Sequence, residues 1–254
     1  MKTIFITGGT QNTGYAIAEC YAKNGYNVAI SSRNCERAEN AAKTLEDKYK
    51  IKSKGYAMDM SDIENIRSTF DLVANDFGTI DVFVANSANL GVDVGLLGTE
   101  EKQFDNIVNI NAKGTFFCCQ AAAEIMKKNG GGSIVTMGSV QALGAVRGRT
   151  VYSMTKAAIS AMVKNMAYEL GEYNIRVNNL VAGAIHSKRW DVLTEDVKAL
   201  RRSRYPLGRE STEEEIANAV YFLGSELSAS MTGTDMVVDS GVTTCLLPYS
   251  KANN

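Results

Sequence analysis

Seven short apolar runs, separated by longer stretches of helical periodicity, constrain this chain more than any other feature. The runs are residues 3–7, 28–31, 55–58, 81–85, 133–137, 176–181 and 235–238. They are rich in Val and Ile and mostly lack polar alternation, which is the pattern of strands buried on both faces of a parallel sheet. Between them, in 62–77, Ile63, Ile66, Phe70, Val73 and Phe77 recur every three or four positions. They form one apolar stripe that faces a sheet, and Ser61 or Asp62 is placed to cap its start. Helical patterns also span 100–128 and 150–172. Strands alternating with about six helices predict an α/β fold, a doubly wound parallel sheet of about seven strands with right-handed crossovers.

The 254 residues read as a single domain, 1–254, without repeat, low-complexity tract or linker. A formal net charge of −1 gives no support for nucleic-acid binding. No apolar run approaches the roughly 20 residues of a membrane span, and the first run is too short for a signal core. A soluble, cytoplasmic protein with no membrane partner is expected. Five cysteines, Cys20, Cys35, Cys118, Cys119 and Cys245, show no CxxC spacing. They read as buried free thiols in a reducing compartment. With one histidine, His186, they are too few for a zinc site, and no metal is expected. The β–α rhythm breaks at 186–205, which is long and charged, and residues 243–254 read as a tail.

The first run leads into Ile-Thr-Gly-Gly-Thr-Gln-Asn-Thr-Gly-Tyr-Ala-Ile-Ala, residues 6–18. This reads as a strand, a glycine turn and a helix starting near Thr13-Gly14. The unpaired N–H groups of the helix's first turn, with its dipole, would favour a pyrophosphate. Gly8 and Gly14 permit a sharp turn and close approach to a ligand. Asn12 is the best-tolerated residue after glycine if its backbone is left-handed, and it is also a good N-cap. Glycine turns alone are weak evidence. At the end of the second run, a carboxylate would hold the ribose 2′-hydroxyl of NAD. Here stand Ser32 and Arg33, which suit a 2′-phosphate, so NADP(H) is favoured and NAD(H) stays open.

Tyr152 and Lys156 lie four residues apart, on one helix face. A free phenol has a pKa of about 10. A nearby ammonium is expected to lower it and make the pair a proton shuttle for a carbonyl or alcohol oxygen. Ser139, at the end of the 133–137 run, would hydrogen-bond the same oxygen. Tyr-x-x-x-Lys alone arises by chance on helix surfaces; following a strand-end serine in a dinucleotide-type domain, it carries more weight.

Together these motifs resemble the classical short-chain dehydrogenase/reductase family over nearly the whole chain. The family's glycine motif matches Thr7, Gly8 and Gly14, and its acidic residue after the third strand matches Asp59, expected near the adenine. Its Asn-Asn-Ala-Gly element appears as Ala85-Asn86-Ser87-Ala88, its active-site asparagine as Asn111, and its serine, tyrosine and lysine as Ser139, Tyr152 and Lys156. Residues 177–183 resemble its Pro-Gly loop, and 205–209, 232–233 and 238–241 its C-terminal signatures. The resemblance implies a Rossmann-like domain with hydride transfer between nicotinamide and carbonyl carbon. Tyr152 would be the acid/base, with Lys156 tuning it and holding the nicotinamide ribose. Ser139 would polarise the carbonyl and Asn111 support a relay water. The implied cofactor contacts are Gly8, Thr10, Asn12, Thr13, Gly14, Ser32, Arg33, Asp59, Met60, Asn86, Tyr152, Lys156, Gly183 and Ile185. The chain departs from the family pattern at Asn12, Ala85, Ala88, Ala182 and Ser240. These departures bear on cofactor affinity more than on chemistry.

Residues 186–205 resemble the family's substrate lid. Its basic residues Lys188, Arg189, Arg201, Arg202 and Arg204 read as solvated, or as one or two contacts to a substrate anion. His186 reads as incidental. Residues 89–97, 141–146 and the tail near Leu246-Leu247 read as largely apolar pocket walls. They favour a bulky carbonyl or alcohol substrate such as a hydroxysteroid, a bile acid or a 3-oxoacyl thioester, over a polyol. The family resemblance implies a homo-oligomer, commonly a tetramer. Phe116, Phe117, Ala121, Ala158, Met162 and Met166 would supply its apolar surface, unless they face the sheet. A non-catalytic NADP(H) sensor would have no need of Asn111, Ser139, Tyr152 and Lys156 together. A methyltransferase would have no need of the Tyr-Lys pair.

Overall fold

In the computed structural model, residues 1–245 are described, except for the side chains of residues 188 and 189. Strand β1 (Thr3–Thr7) is buried along its full length. It pairs in parallel with β2 (Asn27–Ser32) on one side and β4 (Val82–Ala85) on the other. Beyond β2 lies β3 (Ser53–Ala57). Beyond β4 lie β5 (Gly132–Ser139), β6 (Ile175–Ala182) and β7 (Asp235–Val238), giving the order β3-β2-β1-β4-β5-β6-β7. This is the expected seven-stranded, Rossmann-like parallel sheet. β5 and β6 run further than their apolar cores, because all eight residues of each pair in register, from Gly132 with Ile175 to Ser139 with Ala182.

Side chains alternate across the sheet with period two, so one strand feeds two core layers. Phe5 points into the layer with Phe70, Phe83 and Ile134, covered by helices α3 (Ile63–Phe77), α5 (Thr115–Lys128) and α6 (Thr150–Leu170). Ile4 and Ile6 point into the layer with Ile17, Tyr21, Leu45 and Val220, covered by α1 (Asn12–Lys23), α2 (Cys35–Tyr49) and α9 (Glu213–Gly224). Asp62, not Ser61, caps α3, accepting a hydrogen bond from Asn65 N at 3.0 Å.

Three expectations need correction. The 100–128 stretch is not one α-helix. It is α4 (Glu101–Val108), a π-helical turn at Asn109–Gly114, and then α5. Of the five free cysteines only Cys118 and Cys119 are buried, and Cys35 is exposed. The candidate association surface is split. Ala121 and Met166 lie in the core and Phe117 and Met162 pack against it, whereas Phe116 is exposed. Helices α7 (Lys188–Asp191) and α8 (Glu195–Arg202) form the 186–205 segment. Among the described residues no helix is long and apolar enough to cross a membrane.

Phe5 is fully buried, with ring centroids 4.8 Å from Phe70 and 5.9 Å from Phe83. Phe5→Ala should cost about 3–5 kcal/mol, since the rigid layer around it cannot collapse into the space. Denaturant unfolding monitored by circular dichroism measures this; a loss below about 1 kcal/mol would mean that the layer is looser than its geometry.

Candidate active site

The sheet order reverses between β1 and β4, which opens a crevice at their carboxyl ends. Thr7 joins the two strands there: its hydroxyl accepts hydrogen bonds from Asn86 N at 3.0 Å and Ser87 N at 2.9 Å. The Asn86 amide donates back to Thr7 O and Gly8 O. Above this knot the chain turns into α1. Gly8 has φ +68°, and a Cβ on Gly14 would stand 2.2 Å from Gly8 O. Only glycine fits at Gly14, so the first turn of α1 is held tight against the end of β1. Gly9, which the sequence reading passed over, packs on Ile30 in the same way.

Asn12 settles between its two readings. Its backbone is left-handed, φ +49°, and Gln11 takes the N-cap position. Ser240, another departure from the family's glycines, is also left-handed, at φ +54°. Both substitutions keep a backbone shape that glycine adopts without strain. Thr10 and Thr13 are part-exposed on the same turn.

At the end of β2, Ser32 Oγ accepts from Asn34 N, and Asn34 caps α2 through Arg37 N. Arg33 is exposed and hydrogen-bonds to nothing among the described residues. Asp59 lies near enough to feel its charge. The Asp59 carboxyl is held below the usual range by hydrogen bonds from Ser61 N and Oγ, with the Arg33 guanidinium a smaller contribution. Arg33, Ser32 and Asp59 thus gather at one end of the crevice. Three other expected contacts face elsewhere with their side chains or packing. Met60 is buried in the core with its sulfur 3.6 Å from Cys118. Gly183 packs against Asp239, and Ile185 bridges to Ser211. These three can meet a ligand mainly through backbone.

Ser139, at the end of β5, and Tyr152 and Lys156, on α6, come together as a buried set. The Ser139 hydroxyl accepts a hydrogen bond from Gln141 N at 3.2 Å and stands near enough to the Tyr152 phenol to favour its ionised form. Lys156 Nζ lies 5.6 Å from the centre of the Tyr152 ring and donates to Met137 O at 2.6 Å. The expectation that the lysine lowers the phenol's pKa is not met. Burial raises Tyr152, and the opposing influences are the Ser139 hydroxyl and the charge of Arg149. Burial also pushes Lys156 down to about 8, which weakens it as a fixed cation.

Asn111 sits in the π-helical turn and is fully buried. Its amide accepts from Asn89 N at 2.7 Å and donates to Asn89 O at 2.9 Å and Thr155 Oγ1 at 3.2 Å. With both amide donors engaged, the side chain anchors the loop after β4. Arg149, one turn before Tyr152, was missed by sequence reading; its spacing was the available signal. It donates to Leu90 O and pairs with Asp93.

His186 is not incidental. Nδ1 lies 2.7 Å from Glu210 Oε1 and Nε2 3.1 Å from Asp191 Oδ1. Arg202 forks onto the buried Glu210 at 2.8 and 2.7 Å, and Trp190 stacks beside His186 under Arg201 and Arg202. These charges clasp the 186–205 segment to the body. The clasp occupies Arg202, and Lys198 pairs with Glu195, so both are withdrawn from a substrate anion. The pocket wall expected near Leu246-Leu247 lies outside the described residues.

A buried phenol and lysine beside a glycine turn, at the carboxyl edge of one parallel sheet, fit a nucleotide-dependent oxidoreductase. Residues 9–243 match the profile of a family described as enoyl-(acyl carrier protein) reductase. The chain is 34% identical over 241 residues to the 3-oxoacyl-(acyl-carrier-protein) reductase FabG of Aquifex aeolicus, covering 95% of this chain and 97% of that one. It is 31% identical to the 3alpha-hydroxysteroid dehydrogenase of Mediterraneibacter gnavus, covering 94% and 95%. It superposes on NAD+-bound xylitol dehydrogenase with a TM-score of 0.89 at 26% identity, covering 94% and 98%. The chain belongs to the short-chain dehydrogenase/reductase family and is an oxidoreductase of that family, whose cofactor is a nicotinamide dinucleotide.

Two carboxylates on two ring nitrogens require the imidazolium of His186, and they raise its pKa, Glu210 first and Asp191 second. The stability it contributes is complete below its unfolded value of about 6.5 and is lost as pH rises through the raised folded value. Thermal unfolding should therefore show a midpoint that falls across that window, and His186→Gln should flatten the fall. An unchanged profile in the variant would remove His186 from the clasp.

Proposed function

We propose that the chain is an NADP(H)-dependent reductase that interconverts a bulky, largely apolar ketone and its secondary alcohol. The observation that carries the reading is the buried Ser139–Tyr152–Lys156 set beside the Gly8–Gly14 turn. The turn fits a dinucleotide: its glycines leave no room for a Cβ, and α1 directs its unpaired N–H groups above β1. Gly8, Thr10, Asn12, Thr13 and Gly14 would hold the pyrophosphate, Asp59 the adenine side, and Asn86, Tyr152, Lys156, Gly183 and Ile185 the nicotinamide side. When bound, the cofactor supplies or receives the hydride. Tyr152 gives a proton to the substrate oxygen in reduction and takes one in oxidation. Ser139 fixes that oxygen, Lys156 returns the proton balance to Tyr152, and the backbone at Asn111 holds the relay water.

Preference for NADP(H) rests on Arg33, whose guanidinium has no hydrogen-bond partner among the described residues and stands beside Ser32. NAD(H) is the second reading, favoured by the NAD+-bound xylitol dehydrogenase. The apolar substrate rests on the pocket walls. Val92, Val94, Leu96, Leu97, Leu143 and Val146 are all exposed large apolar side chains, and all belong to 89–97 or 141–146. Such clustering marks a binding surface rather than scattered exposure. A 3-oxoacyl thioester and a hydroxysteroid both suit it, in line with the two relatives named for such compounds. Phe104, Phe116, Met154 and Tyr168, exposed on α4, α5 and α6, supply apolar surface for a homo-oligomer. The free thiols suit work in the cytoplasm.

Trp190 is the chain's one tryptophan, so its emission can report cofactor binding. NADPH should bind more tightly than NADH, and Arg33→Ala should weaken NADPH about tenfold or more, the loss of a charge-assisted hydrogen bond, while leaving NADH unchanged. Equal affinities in the native chain would give the NAD(H) reading the advantage. Binding of neither would return the turn to a structural role.

Tyr152→Phe should keep NADPH affinity but lower ketone-dependent NADPH oxidation by about 10²–10⁴-fold. Cofactor binding with no turnover on any ketone in the native chain would favour the sensor.

A further inference from the structure

The first helical turn of α6 breaks a local rule. Its N-cap position, usually given to Ser, Thr, Asp or Asn, is occupied by Arg149, whose side chain makes no cap hydrogen bond. A cation there also faces the positive end of the helix dipole. Such a conflict between local preference and observed residue points to a function.

The guanidinium is directed at the loop after β4. Nη1 donates to Leu90 O at 2.6 Å, and Nε pairs with Asp93. The Arg149 side chain is 20% exposed, and its partner Asp93 61%. The next residue back, Gly148, has φ +84°, and a Cβ there would lie 3.3 Å from the Asp93 backbone, so Asp93 is seated closely against it. Asn111 anchors the same loop one residue earlier, at Asn89. Loop, Arg149 and Tyr152 together line a cavity of about 10 Å³. That holds about one water, so on this side the loop stands close over Tyr152 and must give way before a ketone can enter.

We propose that Arg149 is a positioning residue of the reaction: it fixes the loop after β4 over Tyr152 through Leu90 and Asp93, and it places its positive charge beside the Tyr152 phenol. The inference rests on the oxidoreductase reading of Tyr152. The charged groups around that phenol are few. On α6 they are Lys156 and Arg149; from the β4 loop comes Asp93, already paired with Arg149; β5 presents the uncharged Ser139; and the α4 side of the cavity presents Thr99, Gln103 and Ile107. Removing Arg149 therefore leaves no second cation near the phenol on the loop side among the described residues. The charge effect and the loop effect are separable, because Asp93 takes part in only one of them.

The test follows alcohol oxidation against pH in Arg149→Gln, Arg149→Lys and Asp93→Asn. Oxidation needs the phenolate as proton acceptor, so its rate rises with pH to a plateau set by Tyr152. Arg149→Gln should shift that rise to higher pH and lower the rate below the plateau about threefold or more, about half a pH unit or more. Arg149→Lys should restore the profile but keep a raised KM, since one ammonium cannot replace the fork. Asp93→Asn should raise KM and leave the profile in place or shift it to lower pH. If Arg149→Gln and Asp93→Asn both raise KM and neither moves the profile, the charge has no part and the proposal falls. It also falls if Arg149→Gln matches the native enzyme.

A substrate-free measurement separates this from failure of the ketone reading. The phenolate absorbance of the native chain minus that of Tyr152→Phe isolates one of the eleven tyrosines. In the Arg149→Gln background that difference titration should move upward. An upward shift in a chain that turns over no ketone supports Arg149 and removes the ketone reading. No shift overturns Arg149 whatever the activity. Circular dichroism of each variant confirms that the helix remains.

Discussion

The site depends on two hydrogen bonds to one hydroxyl. Thr7 Oγ1 takes the backbone N–H groups of Asn86 and Ser87. This closes the ends of β1 and β4 together at the point where the sheet changes direction. A parallel sheet leaves a crevice there because its crossovers depart to opposite faces. Left open, the crevice would expose strand-end backbone. Closed by Thr7 and Asn86, it becomes a fixed floor on which the Gly8–Gly14 turn rests, and the approach of Gly14 to Gly8 O follows from that floor.

On the other wall, electrostatics is handled by burial. Lys156 sits 3% exposed with a backbone carbonyl as its hydrogen-bond partner. Its charge is thus disfavoured, and the phenol beside it is pushed up. The two opposite burial shifts set these neighbours further apart in acidity than free tyrosine and free lysine in water: the cation gives up its proton more easily and the phenol keeps its own. The charges that remain fixed are set further out. Arg149 lies at the start of α6, and Glu210, Arg202 and His186 hold the 186–205 segment.

Most strands were legible as apolar runs, and β1 has the same limits in sequence and structure, whereas β3 begins two residues before its run because Ser53 and Lys54 pair with Val28 and Ala29. The turn was legible through backbone chemistry, since asparagine tolerates the left-handed shape seen at Asn12. The Tyr-x-x-x-Lys spacing is a helical neighbour relation and needs no tertiary information. What stayed hidden depends on distance in the chain. The π-helical turn at Asn109–Gly114 leaves no mark on a three-to-four periodicity. His186 meets Glu210 across 24 residues, and Arg149 meets Leu90 across 59. The direction of the Tyr152 shift is set by burial, which no local pattern states.

The two hidden contacts share a consequence. Asn111 and Arg149 fix the base of the 89–97 loop, and the Glu210 clasp fixes the base of 186–205. Beyond those anchors the loop tips carry exposed apolar residues, with Leu97 fully exposed. Under the proposed function the chemistry is therefore placed on rigid elements, while the surface offered to a substrate is apolar, one-sided and tied down only at its root. Apolar contact is non-directional, so a wall of this kind selects by size and shape more than by functional group. On that reading, discrimination among carbonyl compounds falls to how far the anchored loop can yield, and the residues that set that limit are the anchors rather than the apolar tips.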